Sequence, residues 1–327
     1  MTKAAFLFPG QGSQIVGMGG DLCQAFEPAR SYFARASEVL GFDLSRLCFE
    51  DPGETLQLTA NLQPALLTTS VAAWAALELH SGLRPAFVAG HSLGEWSALV
   101  AAGALAFEDA VRLVRLRGAA MQEAVPPGKG AMSAVLGLSG EIVSALCARV
   151  TNELGSDGVV VPANFNGAGQ VVISGTRDAV ERASAVLKAN GAKRVMPLPV
   201  SAPFHSPLMK SAAGRLEAAL DGVIIAAPRV PVVCNVDGRA CSDPGELRRA
   251  LVDQVAAPVQ WEACLGEMAG KGVTHFVEVG PGKVLSGITK RVVPGARTSL
   301  SGRADDIRAL AAEFPRDGEP RGVEAGA

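Results

Sequence analysis

Gly90-His91-Ser92-Leu93-Gly94 is a G-x-S-x-G run set between Pro85-Ala86-Phe87-Val88-Ala89 and Glu95-Trp96-Ser97-Ala98-Leu99-Val100-Ala101-Ala102. The first flank has the apolar texture of a short buried strand, the second that of a helix. A serine at so sharp a strand-to-helix turn stands clear of the backbone, and the flanking glycines let the chain turn and pack closely. The helix behind it aims its positive dipole end and free N–H groups at the place where an oxyanion would form. That is the arrangement of a serine nucleophile for acyl transfer. A glycine-rich turn can hold a serine by chance; the strand before it and the helix after it argue for chemistry.

A nucleophilic serine needs a base, and imidazole is the usual one near neutral pH. Of four histidines, His205 stands in the proline-stiffened loop Pro199-Val200-Ser201-Ala202-Pro203-Phe204-His205-Ser206-Pro207 and follows Ser92 in the chain. His80 ends a helical run, His275 begins a strand, and His91 adjoins the serine on a turn where neighbours point apart. No Asp or Glu announces itself as a third member. In Phe107–Met121, Arg112 and Arg115 fall on the solvent stripe with Glu108 and Gln122. Arg117 falls on the apolar stripe with Ala110, Leu113, Val114 and Met121. A buried guanidinium costs several kcal/mol, roughly, unless paired. Its partner is either an internal carboxylate or a carboxylate on the substrate, which arginine grips bidentately.

The elements that must hold these residues alternate. A strand over 4–8 runs into Pro9-Gly10-Gln11-Gly12-Ser13-Gln14. Helical patterns follow at 21–40 and 64–80, a strand at 86–89, and helices at 93–102 and 107–123. Strands alternating with helices predict a parallel sheet in an α/β fold. After Val125-Pro126-Pro127-Gly128 the order becomes strand 131–137, helix 139–151, strands 158–163 and 170–174, helix 176–190, strand 192–197. That βαββαβ order is the ferredoxin-like unit. Helices at 207–220, 244–254 and 260–270, with strands at 231–235 and 274–279, then resume the first pattern. The expected organisation is a large unit of 1–127 and 198–301, an inserted small unit of 128–197, and a C-terminal segment of 302–327 whose last dozen residues form a disordered tail.

Composition narrows the function. The chain has 327 residues, is 48% hydrophobic and carries a formal charge of -2. There is no basic excess for nucleic acid or an anionic membrane. Six cysteines form no C-x-x-C pair and no histidines stand at metal-ligand spacing, so no metal site is expected. Scattered cysteines suit the reduced thiols of a cytoplasm. No segment has about 18 uninterrupted apolar residues, so no membrane span is expected.

Seven segments in order resemble the malonyl-CoA:acyl-carrier-protein transacylases, a family that includes the acyltransferase domains of polyketide synthases. They are Phe8–Gln14, Gly90–Glu95, Arg115–Gln122, Asn164–Asn166 with Gln170–Gly175, Pro203–Ser206, Gln254–Trp261 and Glu278–Leu285. The resemblance implies an α/β-hydrolase-like large subdomain, an inserted ferredoxin-like subdomain and an active-site gorge between them. It implies Ser92 as nucleophile, His205 as base, the N–H groups of Gln11 and Leu93 as oxyanion hole, and Arg117 as partner of the malonyl carboxylate. It gives the histidine a backbone carbonyl, that of Gln254, in place of an acid. Asn166 would line the gorge, and Phe204 is the malonyl-type residue where methylmalonyl-type relatives have Ser. Trp96, where the family commonly has Tyr, departs as a packing variation. The implied reaction moves malonyl from malonyl-CoA to acyl carrier protein, supplying fatty acid synthesis, with no cofactor, in a cytoplasmic monomer. A discrete acyltransferase serving a polyketide synthase and a serine hydrolase clearing stalled acyl groups remain as alternatives.

Overall fold

Two sheets divide the strands between them, and the chain leaves the first to build the second before returning. A computed structural model describes residues 3–200 and 202–316. In chain order the elements are β1 (Ala4–Phe8), α1 (Gly20–Ala25), α2 (Glu27–Leu40), α3 (Leu44–Phe49), α4 (Thr59–His80), β2 (Pro85–Gly90), α5 (Gly94–Ala101) and α6 (Phe107–Glu123). Then come β3 (Gly130–Leu136), α7 (Gly140–Leu154), β4 (Val160–Gly167), β5 (Gln170–Thr176), α8 (Arg177–Ala189) and β6 (Arg194–Pro197). The chain closes with α9 (Lys210–Leu220), β7 (Val232–Val233), β8 (Ala240–Cys241), α10 (Pro244–Ala256), α11 (Trp261–Gly270), β9 (His275–Glu278), α12 (Val284–Val292), β10 (Arg297–Leu300) and α13 (Ala304–Glu313).

The larger sheet has the order β10-β9-β1-β2-β7-β8. All its pairings are parallel except β7 with the edge strand β8. β1 is buried at every residue, as a central strand covered by helices on both faces must be. The smaller sheet is antiparallel with the order β4-β5-β3-β6, and α7 and α8 pack with it around Val135, Val143, Ile173 and Leu187. That is the ferredoxin-like strand order expected from the βαββαβ pattern. The stretch after α10 is tied to the small sheet by backbone: Phe165 N–H donates to Val259 O at 2.9 Å, and Val259 N–H to Ala163 O at 2.8 Å.

Register places the site. Phe8 pairs with Gly90, so the loops leaving β1 and β2 lie side by side at the carboxyl edge of the parallel sheet, where open α/β sheets bind ligands. The glycines of the turn are there for space. A Cβ on Gly90 would stand 1.9 Å from Gly94 C, and one on Gly94 would stand 2.0 Å from Phe8 O. Both obstacles are backbone, which cannot step aside. Gly94→Ala is therefore expected to cost about 3 kcal/mol by forcing β1 and α5 apart. Urea denaturation checks it; a midpoint equal to the parent's would show that the two elements part freely.

Several details differ from the sequence reading. The helix expected over 21–40 is two helices, parted at Phe26, whose backbone is extended, with Pro28 in the first turn of the second. Arg115, expected on the solvent stripe, is half-buried over the Phe42 ring and bonded to Asn61. α3, β8, α12, β10 and α13 were not foreseen. α13 lies within the C-terminal segment of 302–327, ahead of its last dozen residues, and packs Ile307 and Leu310 into the main core. The tail expected over the last dozen residues lies almost wholly outside the described ones. Among the described residues no helix is long and apolar enough to cross a membrane.

Candidate active site

Ser92 sits between β2 and α5 with φ 50°, in the left-handed region that L-residues avoid. Neighbouring bonds hold it there. His91 N–H donates to Phe8 O at 3.0 Å. Asn235, following β7, accepts from Ser92 N–H at 2.7 Å and donates from Nδ2 to Gly90 O at 2.8 Å. Strain of this kind, about 1–2 kcal/mol, turns the hydroxyl out of the turn and into the cleft.

Ser92 Oγ lies 2.7 Å from His205 Nε2, and His205 Nδ1 lies 2.8 Å from Gln254 O. The carbonyl is free for a reason written in the chain. Gln254 is in the last turn of α10, where carbonyls lose their helical partners, and the residue four further on is Pro258, which has no N–H to give. An N–H on Nδ1 directed at that oxygen leaves Nε2 as the acceptor facing the serine. Burial and the Arg117 charge hold the His205 imidazole far down, at about 3, so the ring is neutral near pH 7. The helix end at α10 contributes negative partial charge that favours the imidazolium once it forms.

Arg117 on α6 is buried, and its side-chain hydrogen bonds among the described residues go to neutral partners. Nη1 donates to Gln63 Oε1 at 2.8 Å; Nη2 donates to Gln254 Oε1 at 2.9 Å and to Ser92 Oγ at 3.1 Å. Its Nε has no partner among the described residues. Burial lowers its pKa to about 10 against the opposing pull of Glu95, which leaves it a cation at neutral pH. Glu95 is buried as well, and desolvation raises its carboxyl to about 7. The expectation of an internal carboxylate partner for Arg117 is not met. Among the described residues no carboxylate bonds to it directly, and Glu95 connects to it through the Gln254 amide.

These groups open onto a cavity of about 430 Å³ lined by Gln11, Leu93, Met121, Met132, Leu198 and Phe204 among others. The N–H groups of Gln11 and Leu93 have no acceptor among the described residues. Both residues line the cavity together with Ser92. No group of three or more His, Cys, Asp or Glu among the described residues could hold a metal ion.

An acyl transferase domain model matches residues 5–307. The malonyl CoA-acyl carrier protein transacylase of Escherichia coli K12 is 52% identical over 293 residues, covering 90% of this chain and 94% of that one. Its namesake from Bacillus subtilis 168 is 50% identical over 292 residues, covering 89% and 91%. The chain belongs to the malonyl CoA-acyl carrier protein transacylase family. The acyl carrier protein S-malonyltransferase of Vibrio cholerae has a similar structure, with a TM-score of 0.91 at 47% identity over 94% of this chain and 100% of that one. So has a malonyl-transacylase solved with a type II polyketide acyl-carrier protein, at 0.92 and 44% over 95% and 100%.

Within this transacylase the structure brings together Ser92, His205, Arg117, Gln254, Gln11, Leu93 and Phe204. Asn166 is placed differently from expectation. It does not line the cavity; its Oδ1 meets His91 Nε2 at 2.9 Å, and Asn164, two residues earlier, is on the wall instead. Irregular pairing of β4 with β5 on either side of Asn164–Phe165 disturbs the simple alternation of faces. His91 also lines the cavity, contrary to the reading that it points away, but its ring is committed to Asn166 and lies edge-on to Trp261. Gln63, Glu95 and Asn235 went unread. Glu95 carried a signal, since it is the one charged residue in the apolar run of α5, the argument that singled out Arg117.

Proposed function

We propose that the chain transfers the malonyl group from malonyl-CoA to the phosphopantetheine thiol of acyl carrier protein through a malonyl-Ser92 intermediate, the activity its relatives are named for. His205 takes the Ser92 proton as Oγ attacks the thioester carbonyl. The Gln11 and Leu93 N–H groups receive the oxyanion, each worth roughly 3–4 kcal/mol in the transition state. The tetrahedral intermediate collapses, the C–S bond breaks, and CoA leaves with the proton from His205. The carrier thiol then gives its proton to His205, attacks the ester, and the steps run in reverse. One thioester becomes one ester and then one thioester, so no metal or redox group is called for.

The observation that carries this reading is Arg117 Nη2 at 3.1 Å from Ser92 Oγ. A buried cation with no carboxylate bonded to it among the described residues, beside the nucleophile, suits an acyl group that brings its own carboxylate. A plain hydrolase would give it no task. Intact-protein mass spectrometry after malonyl-CoA should show one malonyl adduct that persists in buffer and is discharged by holo carrier protein. An adduct lost at the same rate with or without carrier would point to hydrolysis.

Arg117→Ala should alter acyl choice more than chemistry. Malonyl transfer loses two charge-assisted bonds worth about 1.5–3 kcal/mol each, a fall of about a hundred- to ten-thousand-fold. Acetyl transfer, which never used them, should hold or improve. Lysine should rescue only in part, lacking the planar fork. Rates from both thioesters, with melting temperature as control, decide it: equal losses with early melting would make Arg117 a structural cation.

A further inference from the structure

α5 is buried at every position, and Glu95 in its first turn is only 1% exposed. The mechanism above leaves it without a task. Its Oε2 accepts from Asn235 N–H at 2.9 Å and from Gln254 Nε2 at 2.8 Å. The second bond matters most, because the two ends of the Gln254 amide are chemically opposite. In the observed orientation Nε2 faces three acceptors: Glu95 Oε2, Ser92 O at 3.0 Å and Asn235 Oδ1 at 3.3 Å. Oε1 therefore faces Arg117 Nη2. Turned over, the amide would set its NH2 against the guanidinium, donor to donor, and push it off its line to the serine.

The Glu95 oxygen is the nearest of the three acceptors, and the other two have further work. Asn235 Oδ1 already serves Ser92 N–H, and Ser92 O belongs to the turn itself. We infer that Glu95 is a positioning residue: it fixes the Gln254 amide, and through that amide it aims Arg117 at the carboxylate of the incoming acyl group. The inference rests on the reading of Arg117 given above. What it requires of Glu95 is an acceptor oxygen at one place, which an amide oxygen can also supply.

The test compares malonyl and acetyl transfer to holo carrier protein in the parent and in E95Q, E95D, E95M and R117A. E95Q keeps an acceptor at the same reach and should hold the malonyl-to-acetyl ratio within about threefold of the parent's, though it melts earlier. E95D keeps the charge but withdraws the oxygen by one methylene, and E95M removes it. Both should lower the ratio by about tenfold or more, through KM for malonyl-CoA, with kcat for acetyl largely kept. A merely structural role would depress both substrates together. Should E95M not fold, E95D carries the comparison. Parent-like ratios in E95D and E95M, beside a lowered ratio in R117A, would overturn the role of Glu95 and leave that of Arg117 standing. A parent-like ratio in R117A would overturn both. A ratio that falls as far in E95Q as in E95D would also sink the inference, since charge and not the acceptor would then be what counts.

Discussion

Replacing Ser92 with alanine is expected to abolish the malonyl adduct and to cut transfer by about a million-fold, the scale seen when a serine nucleophile is removed. The fold should survive. The side chain projects into the cleft, and the bonds that hold the turn run through backbone groups: Ser92 N–H to Asn235 and His91 N–H to Phe8 O. Alanine inherits the φ of 50° and its strain, so the variant should melt near the parent temperature. Ser92→Gly, equally inactive, should melt later than alanine because glycine occupies that region freely. Mass spectrometry of each variant after malonyl-CoA is the measurement. A full adduct on either would remove Ser92 from the mechanism.

His205→Ala should slow acylation and discharge alike, by about ten thousand- to a million-fold, since one imidazole serves as base and then acid in both. A second readout is thermodynamic. The folded protein holds His205 at about 3 against an ordinary value of 6.5, so between those pH values the unfolded chain binds a proton that the folded one refuses. Stability from this source is full above pH 6.5 and drains as pH falls toward 3. Alanine has nothing to protonate, so its melting temperature should decline less steeply with acid. Glu95 works in the opposite sense, its raised carboxyl favouring the fold at low pH, and it is common to both proteins. Parallel melting curves for parent and variant across this range would mean that His205 is not held neutral by the fold.

Ser92 and Arg117 were legible because each breaks a local pattern: a serine where the chain must turn, a charge on an apolar stripe. His205 followed from the chemistry the serine needs. Gln254 was reachable only through family resemblance, although Pro258 four residues on marks its carbonyl as free. Asn235 falls within the strand expected over 231–235, but the strand is only Val232–Val233, and nothing in the pattern says that the asparagine two residues past it bonds to the Ser92 turn. Gln63 is polar in a helix whose neighbours are almost all buried, and only the packing of α4 on α6 says what it faces. β10, Arg297–Leu300, is polar and partly exposed, and becomes a strand through its pairing with β9. Tertiary contact, not local preference, decides such segments.

The backbone bonds between Val259 and β4 bear on how such a protein could be recombined. By sequence, the small sheet ends at β6. In space it continues into the stretch that follows α10, which supplies a short companion to β4. That same stretch begins a few residues after the carbonyl that steadies His205. A chimera that imports only 130–197 from a relative would lay a foreign strand against the resident Val259 and pull on the alignment of the base. The natural unit of exchange is the inserted sheet together with 254–260, two pieces of chain far apart in the gene that must travel as one.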